Sequence, residues 1–226
     1  MGITQSWSQY SNEQLYCVGV CMRLSEIFNH LACGELANLH LSDNAKSIFD
    51  DKKEIVLRSI NLGLLDLYTR FYLKRKSKEL SVDKSTLVYV LDEDECIEIT
   101  DVSLGLGKLY LHLDYELLNT KTIKLKEYPQ DKAILTISYK ARHKTLTQQD
   151  INDDTDVELP VSYMNALFSF IASRLYTSIV NQLDGDLSES NRYAQRYVQE
   201  IQLLNEQGID VDNLHEHDWF NQRGFI

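Results

Sequence analysis

The sequence predicts an α+β fold, a bundle of three to four helices with an inserted antiparallel β-sheet or sandwich and an extended C-terminal tail. Apolar residues recur at helical spacing in both halves of the chain, but the period falls from about 3.6 to about 2 between Ser85 and Ala141. Short turn segments separate the alternating runs, which favours antiparallel neighbours. We therefore expect a helical part at 1–84, a β insertion at 85–145, a second helical part at 146–208 and a tail at 209–226.

Two helices are predicted ahead of the β insertion. The first covers Asn12–Ala32, and Gly34 is placed to end it in the left-handed conformation. Leu36–Asp50 reads as a loop with one short helical turn at most. The second helix covers Asp51–Lys76, and its interior Gly63 indicates that another backbone or a bulky ring comes close there.

Five strands and two further helices are predicted after the second helix. After the acidic loop Asp150–Asp156, the strongest helical pattern of the chain covers Glu158–Gln182, with Pro160 in its first turn. Its apolar residues leave little polar circumference, which predicts a helix buried on most sides, and Arg174 is the one charge inside it. The next helix covers Ser188–Glu206 and stops at Gly208. Five strands are predicted at Thr86–Leu91, Cys96–Val102, Leu109–Tyr115, Thr122–Lys126 and Ala133–Ala141.

The tail at 209–226 has neither a helical nor a strand period, yet it contains four large apolar residues. Such groups are rarely left in water, so we expect them to be buried on something. The four cysteines lack ligand-like spacing, which predicts free thiols, and Cys17 and Cys21, four apart on a helix, are predicted to be small buried hydrophobic residues. The apolar tail residues are Trp219, Phe220, Phe225 and Ile226, and the cysteines are Cys17, Cys21, Cys33 and Cys96.

The net charge of −11 is concentrated late in the chain, where Thr147–Asp218 has fourteen acidic residues and three arginines. That excess argues against non-specific nucleic-acid binding, which needs cations to neutralise phosphates. It suits either a surface that must not hold DNA or a solvated acidic face. The second helix has a basic end, for which complementing the helix dipole is favoured over contacting phosphates. Its cations are Arg70, Lys74, Arg75, Lys76 and Lys78.

Patterns that resemble catalytic or metal sites are incomplete. Gly105–Lys108 is too short for a phosphate-binding loop and lies between strands. The stretch that starts at Asp150 opens like an EF-hand, but Thr155 replaces the required glycine and Val161 the last glutamate. His215–Asp218 lacks further ligands, and no nucleophile has a triad context. We predict no enzyme, no metal and no cofactor, with a hydrolase around Asp150–Glu158 as the weakest alternative. No stretch is apolar enough to span a bilayer.

Two stretches carry a resemblance to a known family. Ile60–Lys74 reads INLGLLDLYTRFYLK, and Leu159–Ile201 enters a helix through leucine and proline before a second helix with spaced tyrosines, NRYAQRYVQEI. In this order of elements, with the β insertion between them, the chain resembles the head-to-tail adaptor (connector) proteins of short-tailed bacteriophages.

The resemblance implies a structural virion protein at the head–tail junction, assembled in the host cytoplasm. Such adaptors form a ring, usually of twelve subunits, below the portal protein. The ring extends a channel through which DNA passes without specific binding, and it provides a platform for a tail tube or nozzle protein. It further implies that Trp219, Phe220, Phe225 and Ile226 anchor the tail on a partner. Arg174 is expected either to pair within the bundle or to bridge to the acidic surface of the next subunit. The alternative is a soluble protein-binding module or regulator without catalytic activity.

Overall fold

The structure is a computed structural model that describes residues 21–42, 47–82, 85–91, 94–105, 107–127, 133–183 and 187–207. Within these ranges the chain forms two compact units. A β unit comprises residues 75–141, and a helical unit combines residues 21–74 with residues 142–207. The fold class is α+β, as predicted. Every helix in the described ranges is too short or too polar to cross a membrane.

The helical unit is built from four longer helices and one short one. A two-stranded antiparallel pair, β1 with β9, joins its first residues to the segment that precedes the central helix. Turns of 3-10 helix lie at Ala37–Leu39 and Val161–Tyr163. The elements are β1 (Met22–Arg23), α1 (Leu24–Cys33), α2 (Asp50–Arg70), α3 (Gln148–Asn152), β9 (Asp156–Val157), α4 (Met164–Leu183) and α5 (Ser188–Glu206).

Helix α4 is the centre of the helical unit. Its side chains are buried on several faces along Met164–Tyr176, which confirms the prediction of a helix covered on most sides. Helices α2 and α5 pack against it. At Gly63 of α2, an added Cβ would lie 2.6 Å from Leu167 Cδ1 and 3.1 Å from Phe170 Cδ1. The interior glycine therefore lies where side chains of α4 come close to α2, as the sequence indicated.

The ends of the first two helices differ from the prediction. Helix α1 begins at Leu24, because Met22 and Arg23 pair with β9 and the Arg23 N–H donates to Glu26 Oε2 at 3.0 Å. The prediction for residues 12–20 lies outside the described residues. Gly34 has φ −107°, so it does not end α1 in the left-handed conformation, although its N–H still donates to His30 O at 2.9 Å.

Helix α2 ends at Arg70, six residues before the predicted Lys76. Phe71, Tyr72 and Leu73 are all buried, and Phe71 has extended backbone angles, in which successive side chains point to opposite faces. The chain therefore leaves the helix in an extended conformation and begins a strand at Arg75.

The β unit contains two antiparallel sheets that share one core. The first has the order β2-β8-β4-β5 and the second the order β3-β7-β6. Val102, Leu135 and Ile137 from the first sheet and Ile123 from the second are fully buried in the same cluster. The strands are β2 (Arg75–Ser81), β3 (Val88–Val90), β4 (Cys96–Leu104), β5 (Gly107–Leu109), β6 (Tyr115–Asn119), β7 (Thr122–Leu125) and β8 (Ile134–Ala141).

One of the predicted strands is wrong, and several strands were not predicted. Leu109–Tyr115 contains the last residue of β5, a turn and the first residue of β6. The turn forms because the Asp114 carboxylate accepts the Tyr110 N–H at 2.8 Å and His112 adopts φ 64°. The unpredicted strands include β2, which is mostly charged, and β6 in the β unit, and the short β1 and β9 in the helical unit.

The second half of the helical unit also differs in detail. Asp150–Asp156 is not a plain loop, because it contains most of α3 and the first residue of β9. Pro160 lies before the 3-10 turn, so α4 starts later than predicted, whereas α5 has the predicted bounds. The described cysteines are thiols outside any disulfide; Cys96 is buried, Cys33 is exposed, and Cys21, which was predicted to be buried, is partly exposed. Cys17, Gly208 and the tail at 209–226 lie outside the described residues.

Candidate protein-interaction site

Helix α2 keeps one apolar stripe exposed. Its other side packs in the core, whereas Ile55, Leu62 and Leu65 are 51%, 46% and 42% exposed. These positions, together with Arg58, follow spacings of three and four residues, so they lie on one face of the helix. An exposed row of large apolar side chains is typical of a surface that receives another chain.

The segment after the β unit is fixed against this helix by one side chain. Asn61 donates from Nδ2 to Leu146 O at 2.8 Å, and its Oδ1 accepts the Leu146 N–H at 2.8 Å. The amide thus pairs with the backbone in both directions. Leu146 is buried, so the segment that precedes it is held beside α2.

A cleft of about 250 Å³ opens between α2 and this segment. We call it the α2 cleft. It combines apolar, amide and cationic side chains. The lining residues are Arg58, Asn61, Leu62, Leu64, Leu65, Arg142, His143, Lys144 and Thr145.

The charge of the α2 cleft comes from two guanidinium groups. Among the described residues, neither Arg58 nor Arg142 forms an ion pair or a hydrogen bond. Lys144 is different, because its Nζ donates to Asp150 Oδ1 at 2.7 Å. That bond, together with those from Thr147, holds the pKa of the Asp150 carboxyl far below its usual range. The cleft is therefore open to an anion through its arginines.

His143 is a buried residue that lines the α2 cleft, and its imidazole is neutral. Its Nδ1–H donates to Lys144 O at 2.5 Å, and its Nε2 accepts the Glu158 N–H at 3.2 Å. Burial lowers the pKa of His143. Glu158 is fixed in turn, because its carboxylate pairs with Lys74 at 2.5 Å and its carbonyl accepts the Tyr68 hydroxyl. This network positions the backbone beneath the cleft.

A second exposed apolar surface lies in the β unit, on the turn between β5 and β6. Tyr110, Leu111 and Leu113 are exposed, Leu113 to 73%. The backbone under them is fixed, since the Asp114 N–H donates to Tyr110 O at 2.9 Å and the His112 N–H donates to Tyr115 O at 2.8 Å. We call residues 110–113 the apolar turn.

The predicted site residues are not brought together. Arg174 is exposed, its guanidinium lies 5.3 Å from the centre of the Phe170 ring one turn earlier, and it forms no ion pair within the described ranges. Its role between subunits stays a prediction. Trp219, Phe220, Phe225 and Ile226 lie outside the described residues.

The basic end predicted for α2 is not one patch. Arg70 pairs with Asp66 at 2.7 Å and Lys74 with Glu158 at 2.5 Å in the helical unit. In the β unit, Arg75 pairs with Asp101 at 3.7 Å and Lys76 with Glu95 at 2.6 Å. Cations that already have carboxylate partners are poor ligands for phosphates, and only Arg70 lies in the last turn of α2.

The incomplete motifs have structural roles. Gly105, at φ 58°, lies in the turn that pairs Leu104 with Gly107 between β4 and β5. Asp154, also in the left-handed region, accepts the Ser25 N–H at 2.9 Å. Within the described ranges no three histidine, cysteine or acidic side chains approach closely enough to hold a metal ion. His215–Asp218 lies outside the described residues.

Sequence reasoning did not single out Arg58 or Arg142. The exposed leucines of α2 look like ordinary members of an apolar helix, and only the pairing of Asn61 with Leu146 brings the second arginine to the first. The available signal was weak. Arg58 interrupts an apolar face at the spacing of a surface residue.

Comparisons with known proteins give little beyond this geometry. No family model matches the chain, and no curated protein matches it. Among solved structures, the chain is similar to one in the neck of an empty GTA particle, a phage-like gene transfer agent, computed with C6 symmetry. The identity is 12% and the TM-score 0.27, and the match covers 77% of this chain and 93% of the other. At that TM-score the likeness does not establish a common fold.

Proposed function

We propose that this protein is a head-to-tail adaptor, a structural virion protein that forms a ring of twelve subunits below the portal. The proposal starts from the resemblance of Ile60–Lys74 and Leu159–Ile201 to the adaptors of short-tailed phages. One structural observation carries it further. Large apolar side chains stand exposed on fixed backbone in both units, in the stripe of α2 and in the apolar turn. A protein that works alone has no need of two such surfaces.

The apolar turn and Arg174 each have a place in that assembly. A ring subunit needs contacts with its neighbours and with the components above and below, because a closed ring uses two different patches on each copy. In the proposal the apolar turn of the β unit docks on the tail tube or nozzle protein. Arg174, which has no carboxylate partner among the described residues, pairs with the acidic surface of the next subunit.

The remaining elements have roles that follow from their composition. Trp219, Phe220, Phe225 and Ile226 anchor the tail on a partner, where aromatic side chains contribute most when they fill pockets. The net charge of −11 keeps DNA from adhering to the channel, because phosphates find few cations there. Assembly takes place in the host cytoplasm, and the protein then resides in the virion.

The test is docking to a portal ring followed by native mass spectrometry. The full chain, mixed with the portal ring of the same phage, should add as a ring of twelve copies. A chain truncated before Asn213 should keep its circular-dichroism spectrum and thermal transition but fail to dock, because the anchors are gone. The substitution Val198→Ser, at an exposed position of α5, is the matched control and should dock normally.

Two results would contradict the proposal. A full chain that stays monomeric in the presence of the portal ring is not an adaptor, and the protein-binding module then becomes the better description. Normal docking by the truncated chain would be compatible with the proposed ring but would show that the tail does not anchor it.

A further inference from the structure

The α2 cleft exposes two kinds of surface that lack a partner within the described chain. Arg58 and Arg142 carry positive charges without carboxylates, and Leu62 and Leu65 hold apolar area in water. Its volume of about 250 Å³ matches about eight water molecules at ~30 Å³ each, which is room for one large side chain. The ligand that suits it combines a large apolar side chain with adjacent carboxylates.

Residues 208–226 of this chain have that composition. The segment contains four acidic residues against the single Arg223, and Glu216 and Asp218 stand just before the aromatic pair Trp219–Phe220. Carboxylates and aromatic rings would therefore reach a cleft together. The four acidic residues are Asp210, Asp212, Glu216 and Asp218.

We infer that the α2 cleft binds residues 208–226 of a second copy of this chain. An aromatic side chain of the pair Trp219–Phe220 lies against Leu62 and Leu65. The carboxylates of Glu216 and Asp218 face Arg58 and Arg142. The charges select the segment and the apolar contact provides most of the binding energy, as in other interfaces with an aromatic anchor and a polar rim.

That the bound segment comes from a second copy of the chain rests on the proposed ring. A closed ring is held by a head-to-tail interface, in which each copy offers one surface and receives a different, complementary one. The α2 cleft and residues 208–226 are two such surfaces on one chain, opposite in charge and both apolar. Repeating this contact around the ring would link every copy to the next.

Phosphate or nucleic acid fits the α2 cleft less well. A phosphate would satisfy the two arginines but leave Leu62 and Leu65 in water. The net charge of −11 also repels a polyanion, and Lys144 is already paired with Asp150. A peptide that carries both carboxylates and large apolar side chains is the better partner.

The test is photo-crosslinking between isotopically distinct full-length chains. One chain carries a photo-crosslinking amino acid at position 219, and the other is uniformly labelled with nitrogen-15 and carries none. After mixing and irradiation, mass spectrometry should find cross-links from position 219 to labelled peptides that contain residues 58–65 or 142–145.

Charge reversal makes the test specific. Arg58→Glu with Arg142→Glu in the labelled chain should lower the yield about tenfold, because like charges at an interface oppose binding. Asp212→Lys, Glu216→Lys and Asp218→Lys in the photo-reactive chain should then restore it, which also shows that the reversed cleft is folded. The control pair Arg23→Glu with Arg192→Glu, at exposed arginines away from the α2 cleft, should leave the yield unchanged.

Each other outcome overturns the inference. Cross-links confined to unlabelled peptides mean that the segment occupies its own chain, and cross-links elsewhere or none mean that the α2 cleft has another ligand. Failure here is separable from failure of the proposed function. If the cleft-reversed chain still forms a portal-bound ring, the inference is wrong and the adaptor stands. If the cross-links form but no ring docks on the portal, the cleft contact stands and the adaptor is wrong.

Discussion

Gly63 of α2 and Leu167 of α4 are in tight contact, with 2.6 Å between Leu167 Cδ1 and the position a Cβ would take on the glycine. Gly63→Ala should therefore destabilise the protein, although alanine is the better helix former by about 1 kcal/mol. Leu167 is fully buried and has little room to move, so overpacking should outweigh that gain. We expect a net loss of about 1 kcal/mol, measured by urea unfolding.

A double-mutant cycle provides the control for Gly63. Leu167→Ala alone should cost about 2–5 kcal/mol, as large-to-small core changes do. With the leucine shortened, Gly63→Ala should no longer clash and should become neutral or stabilising. Strictly additive effects would show that the two side chains do not compete for the same space.

Asn61 ties the segment after the β unit to α2 through both hydrogen bonds with Leu146. Asn61→Ala should lower the free energy of unfolding by about 1–3 kcal/mol, since it leaves buried backbone groups unpaired. Hydrogen exchange gives the local measurement, because the Leu146 amide should exchange faster. The control Asn205→Ala, at an exposed position of α5, should change neither quantity, and an unchanged Leu146 amide in Asn61→Ala would refute the tie.

His143 makes the stability of the helical unit depend on pH. Burial lowers its pKa in the folded state, so between that value and the usual value of about 6.5 the unfolded chain holds more protons. Stability is thus complete above about pH 6.5 and falls as the pH drops through that value, by at most about 1.4 kcal/mol per pH unit. Glu158, Lys74 and Lys144 lie near the imidazole and shift the window.

The variant His143→Gln isolates this effect. Its free energy of unfolding should be flatter than that of the natural protein between about pH 7 and pH 5. Asp150 and Asp154, whose carboxyl pKa values are lowered, contribute stability that is lost at lower pH, below about pH 4, and this loss should remain in the variant. Equal slopes in the upper window would mean that His143 is not the titrating group.

The apolar turn should matter for assembly and not for folding. Leu113→Ser removes a side chain that is 73% exposed, so the thermal transition should stay within experimental error. In the proposed adaptor it should weaken attachment of the tail component to the portal-bound ring. Leu203→Ser, a comparably exposed leucine on α5, serves as the control, and equal attachment by both variants would remove the apolar turn from the interface.

The helices could be predicted where a buried stripe alternates with polar residues. The bounds of α5 are correct because Tyr193, Ile201 and Leu204 recur at helical spacing in a polar sequence. The end of α2 could not be predicted, since Phe71–Leu73 continues an apolar run that only the tertiary packing divides. Strand β2 was missed because it is charged, a composition that suits an edge strand and protects it from pairing with other chains.

The hydrophobic periodicity of the sequence cannot predict the turn at 110–113 or the α2 cleft. Alternation in Leu109–Tyr115 is genuine, but the Asp114 carboxylate and the left-handed His112 turn the chain there. The cleft depends on residues that lie far apart in sequence, as Asn61 and Leu146 are separated by 85 positions. Such long-range pairs leave no local pattern.

The β unit starts and finishes on neighbouring strands, because Arg75 at the beginning of β2 pairs with Lys140 near the end of β8. Paired residues in an antiparallel sheet have α-carbons about 5 Å apart, so the two ends of this unit meet. It is therefore a self-contained insertion that can be gained, lost or exchanged as a whole while α2, α4 and α5 keep their packing. Replacing residues 75–141 would change the surface that the β unit presents without redesigning the helices.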